Sequence, residues 1–257
     1  MELFTNLYNY RELLKSNVKK EIRGKYKGSF LGVLWSFINP LLQVLVYAIV
    51  FPYIMKVKTP NYLQYLIVGI IPWTFFTTVL NQGMITVRMN AGIIKKVYFP
   101  REILPISVAL SGLVNFFISC VIILLFCIIG KVGISWHLLL LPLAAIVQFI
   151  LSLGLILALS AINIYIKDTE YIVQFIINML FYATPILYPA TLFPESIRWI
   201  LYLNPMAGII DFYRNIFIYH QLSDVVTIFY VLGISLLIFI VGLLIFRKLE
   251  KGFAEEV

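Results

Sequence analysis

The chain has 257 residues, of which 61% are hydrophobic and only 12% charged, with a net charge of +8 at neutral pH. Soluble domains contain roughly 45–50% apolar and about 25% charged residues. This composition excludes an ordinary soluble protein and, with its long uncharged stretches, predicts an all-α protein integral to a membrane.

The first 30 residues predict a cytoplasmic amphipathic helix that precedes a single membrane domain at residues 31–257. Basic residues fall largely on other faces than the apolar ones, as expected of a helix that lies in a membrane interface. A disordered basic tail is the alternative. No cleavable signal peptide is expected, because the segment has no apolar core or cleavage site. The periodic apolar residues are Leu3, Leu7, Tyr10, Leu14, Val18 and Ile22.

Six apolar stretches free of Asp, Glu, Lys and Arg predict six transmembrane helices, because a span needs about 20 apolar residues. Fifteen of the 20 Lys and Arg residues lie in segments that an inside N-terminus places inside. The positive-inside rule therefore predicts that both termini are cytoplasmic. The basic excess then reflects topology and attraction to anionic lipid, and no nucleic-acid partner is expected. The stretches are residues 31–54, 62–84, 103–130, 138–164, 172–188 and 225–246.

The first span begins with Gly28 and Gly32, whose spacing predicts a small-residue face for close approach of another helix. Between spans five and six, residues 188–224 are too apolar for a free loop and too interrupted by prolines for one span. They predict two short helices, near residues 194–203 and 205–219, with Asn204 as the N-cap of the second. Such helices must dip into the outer leaflet or pack on the spans, as a re-entrant gate would.

Several kinds of chemistry are missing from the sequence. It has no phosphate-binding GxxxxGK[ST] loop, so the chain is not expected to hydrolyse ATP. The spans hold no ionisable side chain, which argues against a proton-coupled carrier. No metal site is predicted, and Cys120 and Cys127 are expected to be packed thiols. If the protein transports, its energy is expected to come from another subunit.

Six motifs in chain order resemble the permeases of ABC exporters for cell-surface polysaccharides. The resemblance covers nearly the whole chain. The exporters that it resembles are those for O-antigen, capsule, teichoic acid and rhamnan. The motifs are YKGSFLGVLWSFINPLLQVLVYAIVF (26–51), GIIPWTFF (69–76), KKVYFPREILP (95–105), NIYIKDTEYIVQF (163–175), TPILYP (184–189) and LYLNPM (201–206).

The resemblance implies a homodimer in the cytoplasmic membrane of a bacterium, with a channel between the two copies. Two copies of a separate ATPase subunit would dock below and bind ATP and Mg²⁺, and this chain would hold no cofactor. The implied substrate is a polysaccharide linked to a lipid diphosphate. Two alternatives remain: the same fold exporting a drug or lipid, and a membrane sugar transferase, which would need acidic residues to hold a metal.

Four groups of residues are assigned roles with the help of this resemblance. Aromatic rings stack on sugars, although some of these side chains are also placed to form lipid-facing belts. The assigned substrate path is Trp35, Phe37, Tyr47, Phe51, Trp73, Phe76, Phe181 and Tyr182. The cations assigned to the lipid diphosphate, on grounds of charge, are Arg23, Lys25 and Lys27. The ATPase-coupling residues are Asn90, Ile94, Lys95, Lys96, Tyr98, Lys167, Asp168 and Glu170. The outer gate is Pro185, Tyr188, Pro194, Trp199, Asn204 and Pro205.

Overall fold

A computed structural model describes residues 2–24, 28, 30, 32–55 and 60–256, and these residues form helices and no strand. The predicted all-α class is therefore confirmed. The α-helices are α1 (Glu2–Asn9), α2 (Arg11–Gly24), α3 (Trp35–Met55), α4 (Tyr62–Met89), α5 (Ala91–Ile94), α6 (Ile103–Ile129), α7 (Leu141–Tyr165), α8 (Thr169–Ala183), α9 (Glu195–Tyr202), α10 (Pro205–Arg214), α11 (Val225–Leu249) and α12 (Phe253–Glu256).

The N-terminal segment is helical, but it consists of two helices rather than one helix over residues 1–30. A turn at Tyr10 separates α1 from α2, and α2 ends at Gly24. Backbone hydrogen bonds from Tyr10 to Asn6 (2.9 Å) and from Leu14 to Tyr10 (3.0 Å) keep the two nearly continuous. The apolar side of α2 faces α6 across an open groove, so protein covers part of the face that was predicted to lie on lipid.

The glycines at the start of the first span do not form a helix-packing face within this chain. Gly28 and Gly32 have φ angles of +82° and +52°, and no other part of the described chain lies within 4 Å of a Cβ built on either. Only glycine adopts this backbone conformation at no steric cost. α3 starts only at Trp35, and Gly32 begins a short 3-10 helix, Gly32–Leu34, just before it. Close approach of a helix from a second copy stays a prediction.

Four helical segments of the described chain are long and apolar enough to cross a membrane. They are Tyr62–Met89, Ile103–Ile129, Trp136–Tyr165 and Val225–Gly252. A shorter apolar segment, Ile38–Pro52, lies within the 21-residue α3, which continues through both of its prolines. The predicted fifth span differs more: α8 has 15 residues, about 22 Å at 1.5 Å per residue. The last five residues of that predicted span are not helical.

The pair α7 and α11 is held by a close approach of two glycines. A Cβ added to Gly242 would collide with the backbone of Gly154, and a Cβ on Gly154 would collide with the backbone around Phe239. Small residues let two membrane helices come near enough for backbone contact, which is a main source of packing energy where lipid competes for apolar surfaces. This contact fixes the last long helix against the centre of the bundle.

Both ends of the chain lie at the same end of the bundle. Near the N-terminus, the Asn6 amide donates a hydrogen bond to the Glu102 carboxylate at 3.0 Å. Near the C-terminus, the Tyr165 hydroxyl donates to the Leu249 carbonyl at 2.8 Å. Because Glu102 and Tyr165 belong to the two loops predicted inside, these loops and the terminal segments form one surface.

Candidate functional site

The aromatic side chains assigned to the substrate path converge where α3, α4 and α8 meet. The ring of Phe181 lies at the centre, with its centroid 6.0 Å from that of Tyr47 and 5.8 Å from that of Trp73. Trp73 also contacts Phe76 (5.5 Å), and Tyr47 contacts Phe51 (5.8 Å). We call these five residues and Tyr182 the aromatic cluster.

Tyr182 gives the aromatic cluster an exposed edge. Its ring lies 5.3 Å from that of Phe181 in an edge-to-face arrangement, while 62% of the residue is exposed. Phe181, Trp73 and Phe76 are buried. Most of the cluster therefore packs three helices together, and Tyr182 is the member most available to a ligand or a second chain.

Trp35 lies apart from the aromatic cluster, and the Phe37 side chain is outside the described part of the structure. Trp35 borders a cavity of ≈ 480 Å³ between α3, α4 and α6, which we call the polar cavity. Its lining is rich in uncharged polar groups and consists of Trp35, Asn39, Pro40, Ile71, Thr74, Phe75, Thr78, Asn81, Gln82, Gly112, Asn115, Phe116 and Ser119.

At the opposite end from the chain termini, residues 184–188 form a buried, non-helical turn after α8, here called the outer turn. An unpaired backbone carbonyl in such a place costs free energy, so each needs a donor. Side chains of α4 and α10 supply three donors. They are the Tyr62 hydroxyl to the Leu187 carbonyl (2.8 Å), the Tyr65 hydroxyl to the Tyr188 carbonyl (2.8 Å) and the Arg214 Nη2 to the Ile186 carbonyl (3.0 Å).

Arg214 is the central donor to the outer turn, and only 1% of the residue is exposed. Its guanidinium carbon lies 3.5 Å above the Tyr65 ring, a close cation–π contact. Its Nη1 is 3.5 Å from the Asp211 carboxylate. Desolvation raises the pKa of the Asp211 carboxyl, and the neighbouring guanidinium opposes that rise. The charge is thus held by one ring, one carboxylate and one carbonyl.

The outer turn also brings together four of the six predicted gate residues. Pro185 is buried in it and Tyr188 is half-buried. Asn204 donates to the Thr184 hydroxyl at 2.7 Å and accepts from the Met206 backbone amide, so it caps α10 as predicted, with Pro205 at the first helical position. The other two predicted gate residues, Pro194 and Trp199, are exposed on or beside α9.

The predicted coupling residues divide into an exposed group and an inward group. Ile94 is buried, and Asn90 is half-buried and accepts a hydrogen bond from Lys20 at 3.3 Å. Glu170 forms an ion pair with Arg88 and also accepts from the Asn163 amide at 3.2 Å. Glu170 therefore joins α8 to both α4 and α7. The exposed coupling residues are Lys95, Lys96, Tyr98, Lys167 and Asp168.

Of the three cations assigned to the lipid diphosphate, only Arg23 is described; Lys25 and Lys27 lie outside the described residues. Arg23 is exposed and borders the groove between α2 and α6. Lys15 and Lys19 border the same groove, whose remaining lining is apolar. The groove therefore combines an apolar wall with cationic side chains.

Sequence reasoning missed the buried and multiply bonded Arg214, and it missed the polar cavity. Asp211 and Arg214 stand three residues apart in an otherwise apolar stretch, which is a recognisable sign of a charge held by protein. Thr74, Thr78 and Asn81 recur at helical spacing in α4, which indicates a polar stripe on one face. Both patterns can be recognised in the sequence alone.

The described residues form a helical protein of the membrane class, with a buried aromatic cluster, a polar cavity and an outer turn. The chain belongs to the ABC-2 type transporter family, which matches residues 12–218. It is a transport subunit and not an enzyme, and its resemblance to ABC exporter permeases is confirmed.

Relatives match along the full chain. It is 35% identical over 259 residues to the O-antigen export system permease protein RfbA of Myxococcus xanthus, with 100% of both chains covered. It is 36% identical over 253 residues to the protein of the same name from Klebsiella pneumoniae, covering 97% of this chain and 96% of the relative. It is 24% identical over 238 residues to the polysialic acid transport protein KpsM of Escherichia coli, covering 91% and 92%.

Proposed function

We propose that this chain is the permease subunit of an ATP-driven exporter that moves a lipid-linked cell-surface polysaccharide across the cytoplasmic membrane of a bacterium. The observation that carries the proposal is similarity over essentially the full chain, at 35% and 36% identity, to O-antigen export permeases. The relative named as a polysialic acid transport protein also points to a polysaccharide as the substrate. Polysaccharide export is therefore the function that the relatives support best.

The proposed assembly is a homodimer of six-span subunits, with both termini in the cytoplasm and two ATPase subunits below. In this assembly α3 and α8, with 21 and 15 residues, supply the two spans that are shorter than the other four. The outer turn extends α8 toward the far side of the membrane. Exposed apolar side chains of α8, including Tyr171, Phe175 and Tyr182, offer a face to the second copy and to the channel between the copies.

ATPase coupling is proposed at the surface where the two inside loops meet the terminal segments. Tyr98 is 91% exposed, and Lys95, Lys96, Lys167 and Asp168 are exposed with it, so a docked ATPase subunit can reach them. Glu170 carries motion from that surface inward, because it binds side chains of α4 and α7. The exposed residues receive the movement, and the Glu170 contacts transmit it.

Charge reversal of Arg23, Lys25 and Lys27 to Glu together is expected to reduce export at least about tenfold. A lipid diphosphate needs compensating positive charge at the interface, and each cation near an anionic surface contributes about 1 kcal/mol. Surface polymer per cell, normalised to the amount of the membrane protein, is the measurement. The control reverses Lys56, Lys58 and Lys131, which lie in segments predicted outside. Equal export by both triple variants would show that the three cations do not bind the substrate on its route.

Depletion of the protein from its bacterium tests the function itself. We expect the surface polysaccharide to fall and its lipid-linked precursor to accumulate in the cytoplasmic leaflet, with sensitivity to hydrophobic drugs unchanged. Antibody labelling of intact and opened cells separates the two pools. Increased drug sensitivity with normal surface polymer would favour a drug exporter instead. Loss of the precursor itself would favour a sugar transferase.

A further inference from the structure

The polar cavity has no part in the aromatic cluster or the outer turn. It lies at the middle of two helices that are long enough to span a membrane, α4 and α6. Seven of its lining side chains are polar, and none of the described lining residues is Lys, Arg, Asp, Glu or His. The polar members are Asn39, Thr74, Thr78, Asn81, Gln82, Asn115 and Ser119.

Such a lining is costly at this depth unless something polar occupies it. Amides and hydroxyls that face hydrocarbon lose their hydrogen bonds to water, and membrane helices therefore turn them toward protein or toward a hydrated space. Asn81 lines the cavity, and its side-chain oxygen is buried without a hydrogen-bond partner among the described residues. A polar occupant that bonds to this amide would reduce that cost.

The lining defines the chemistry of the occupant. Amides offer both donors and acceptors, and threonine and serine hydroxyls do the same, which suits a ligand with many hydroxyl groups. None of the described lining residues is Lys, Arg, Asp, Glu or His, which favours a neutral ligand. Trp35 is 41% exposed and contributes an aromatic face at the cavity, the surface on which the apolar side of a sugar ring stacks.

We propose that the polar cavity binds one neutral sugar unit of the exported polymer, at a site within each subunit. This inference rests on the proposed function and deepens it, because it assigns hydroxyl recognition to α3, α4 and α6. The volume falls within the roughly 300–1,000 Å³ typical of small-ligand pockets. The groove between α2 and α6, by contrast, is lined by apolar and cationic side chains.

Two neighbouring threonines provide a matched test. Thr78 lines the polar cavity, whereas Thr77 is on the same helix, is equally half-buried and bonds the Thr74 carbonyl at 3.3 Å. The probe is a tritiated neutral oligosaccharide released by mild acid from the bacterium's own surface polymer. Its equilibrium binding is measured to the complete complex with the ATPase subunit in lipid nanodiscs.

The unmodified complex is expected to bind the oligosaccharide saturably. Thr78→Val should weaken binding about fivefold, as expected for one lost hydrogen bond, and Asn81→Leu at least about tenfold, while Thr77→Val leaves it unchanged. Basal ATP hydrolysis and thermal stability, measured on each variant, identify any that does not fold. As a second measurement, bound oligosaccharide should slow alkylation of Thr78→Cys, and not of Thr77→Cys, when Cys120 and Cys127 are replaced by Ala.

Absence of saturable binding, or equal loss in the Thr77 and Thr78 variants, would overturn the proposal. Either result leaves the proposed function standing if depletion of the protein still removes the surface polymer. If depletion leaves the surface polymer in place, the proposed function fails and the sugar site fails with it. The two claims are therefore separated by one cellular and one binding measurement.

Discussion

Replacement of Arg214 by Leu is expected to lower the stability of the folded chain by about 2–4 kcal/mol, the sum for one buried hydrogen bond from a charged donor and one desolvated cation–π contact. The substitution removes the donor to the Ile186 carbonyl and the cation above the Tyr65 ring, and it leaves the Asp211 carboxylate without its partner. The outer turn then loses its central attachment. Thermal unfolding of the purified complex and proteolysis at the outer turn measure the effect.

Arg198→Leu is the matched control for this prediction. Arg198 is also an arginine of the segment between spans five and six, and it donates one hydrogen bond to the Phe193 carbonyl at 3.2 Å. It is only half-buried, so a loss of about 1 kcal/mol or less is expected. An equal shift in melting temperature for the two variants would show that Arg214 does not hold the outer turn.

Charge reversal of Glu170 to Lys is expected to uncouple ATP hydrolysis from export. The change places a cation beside Arg88 and removes the acceptor of the Asn163 amide, so α8 is repelled from α4 and loses its bond to α7. The pair is about one third exposed, and its own attraction is worth about 1 kcal/mol at most. Export should fall at least tenfold while ATP hydrolysis continues, in vesicles that contain both subunits.

Two further variants make the Glu170 prediction specific. The exchange Arg88→Glu with Glu170→Lys restores opposite charges and should recover a substantial part of export. Glu12→Lys reverses a carboxylate that pairs with Lys15 on the exposed side of α2, where an ion pair contributes little, and should leave export unchanged. If both single variants lose export and the double exchange does not restore it, the ion pair is not the transmitting contact.

The long helices and the capped outer helix could be predicted from the sequence because their signals are local. Uncharged stretches of sufficient length gave α4, α6, α7 and α11 within a few residues. The Asn204-Pro205 pair gave the start of α10, since an amide N-cap followed by proline needs no tertiary context. Six of the eight aromatic residues assigned to the path lie in one cluster, and their role in substrate passage stays a prediction.

The rest depended on contacts between distant segments, which periodicity does not reveal. The spacing of Gly28 and Gly32 implied a helix face only if the helix had already begun, and it begins at Trp35. Residues 184–188 were predicted to end a span, because an apolar composition does not distinguish a helix from a buried turn. The donors that make that turn possible come from α4 and α10, more than 20 residues away in either direction.

Export by purified components tests the central claim most directly. The protein and its ATPase partner are reconstituted in sealed vesicles whose outer leaflet corresponds to the cytoplasmic side, together with the bacterium's own lipid-linked polymer. ATP with Mg²⁺ is expected to move the polymer into the lumen, where an added glycosidase no longer reaches it, and a non-hydrolysable ATP analogue should not. Protection that is equal with and without ATP hydrolysis, in vesicles whose ATPase is active, would contradict the assignment of this chain as the path for the polysaccharide.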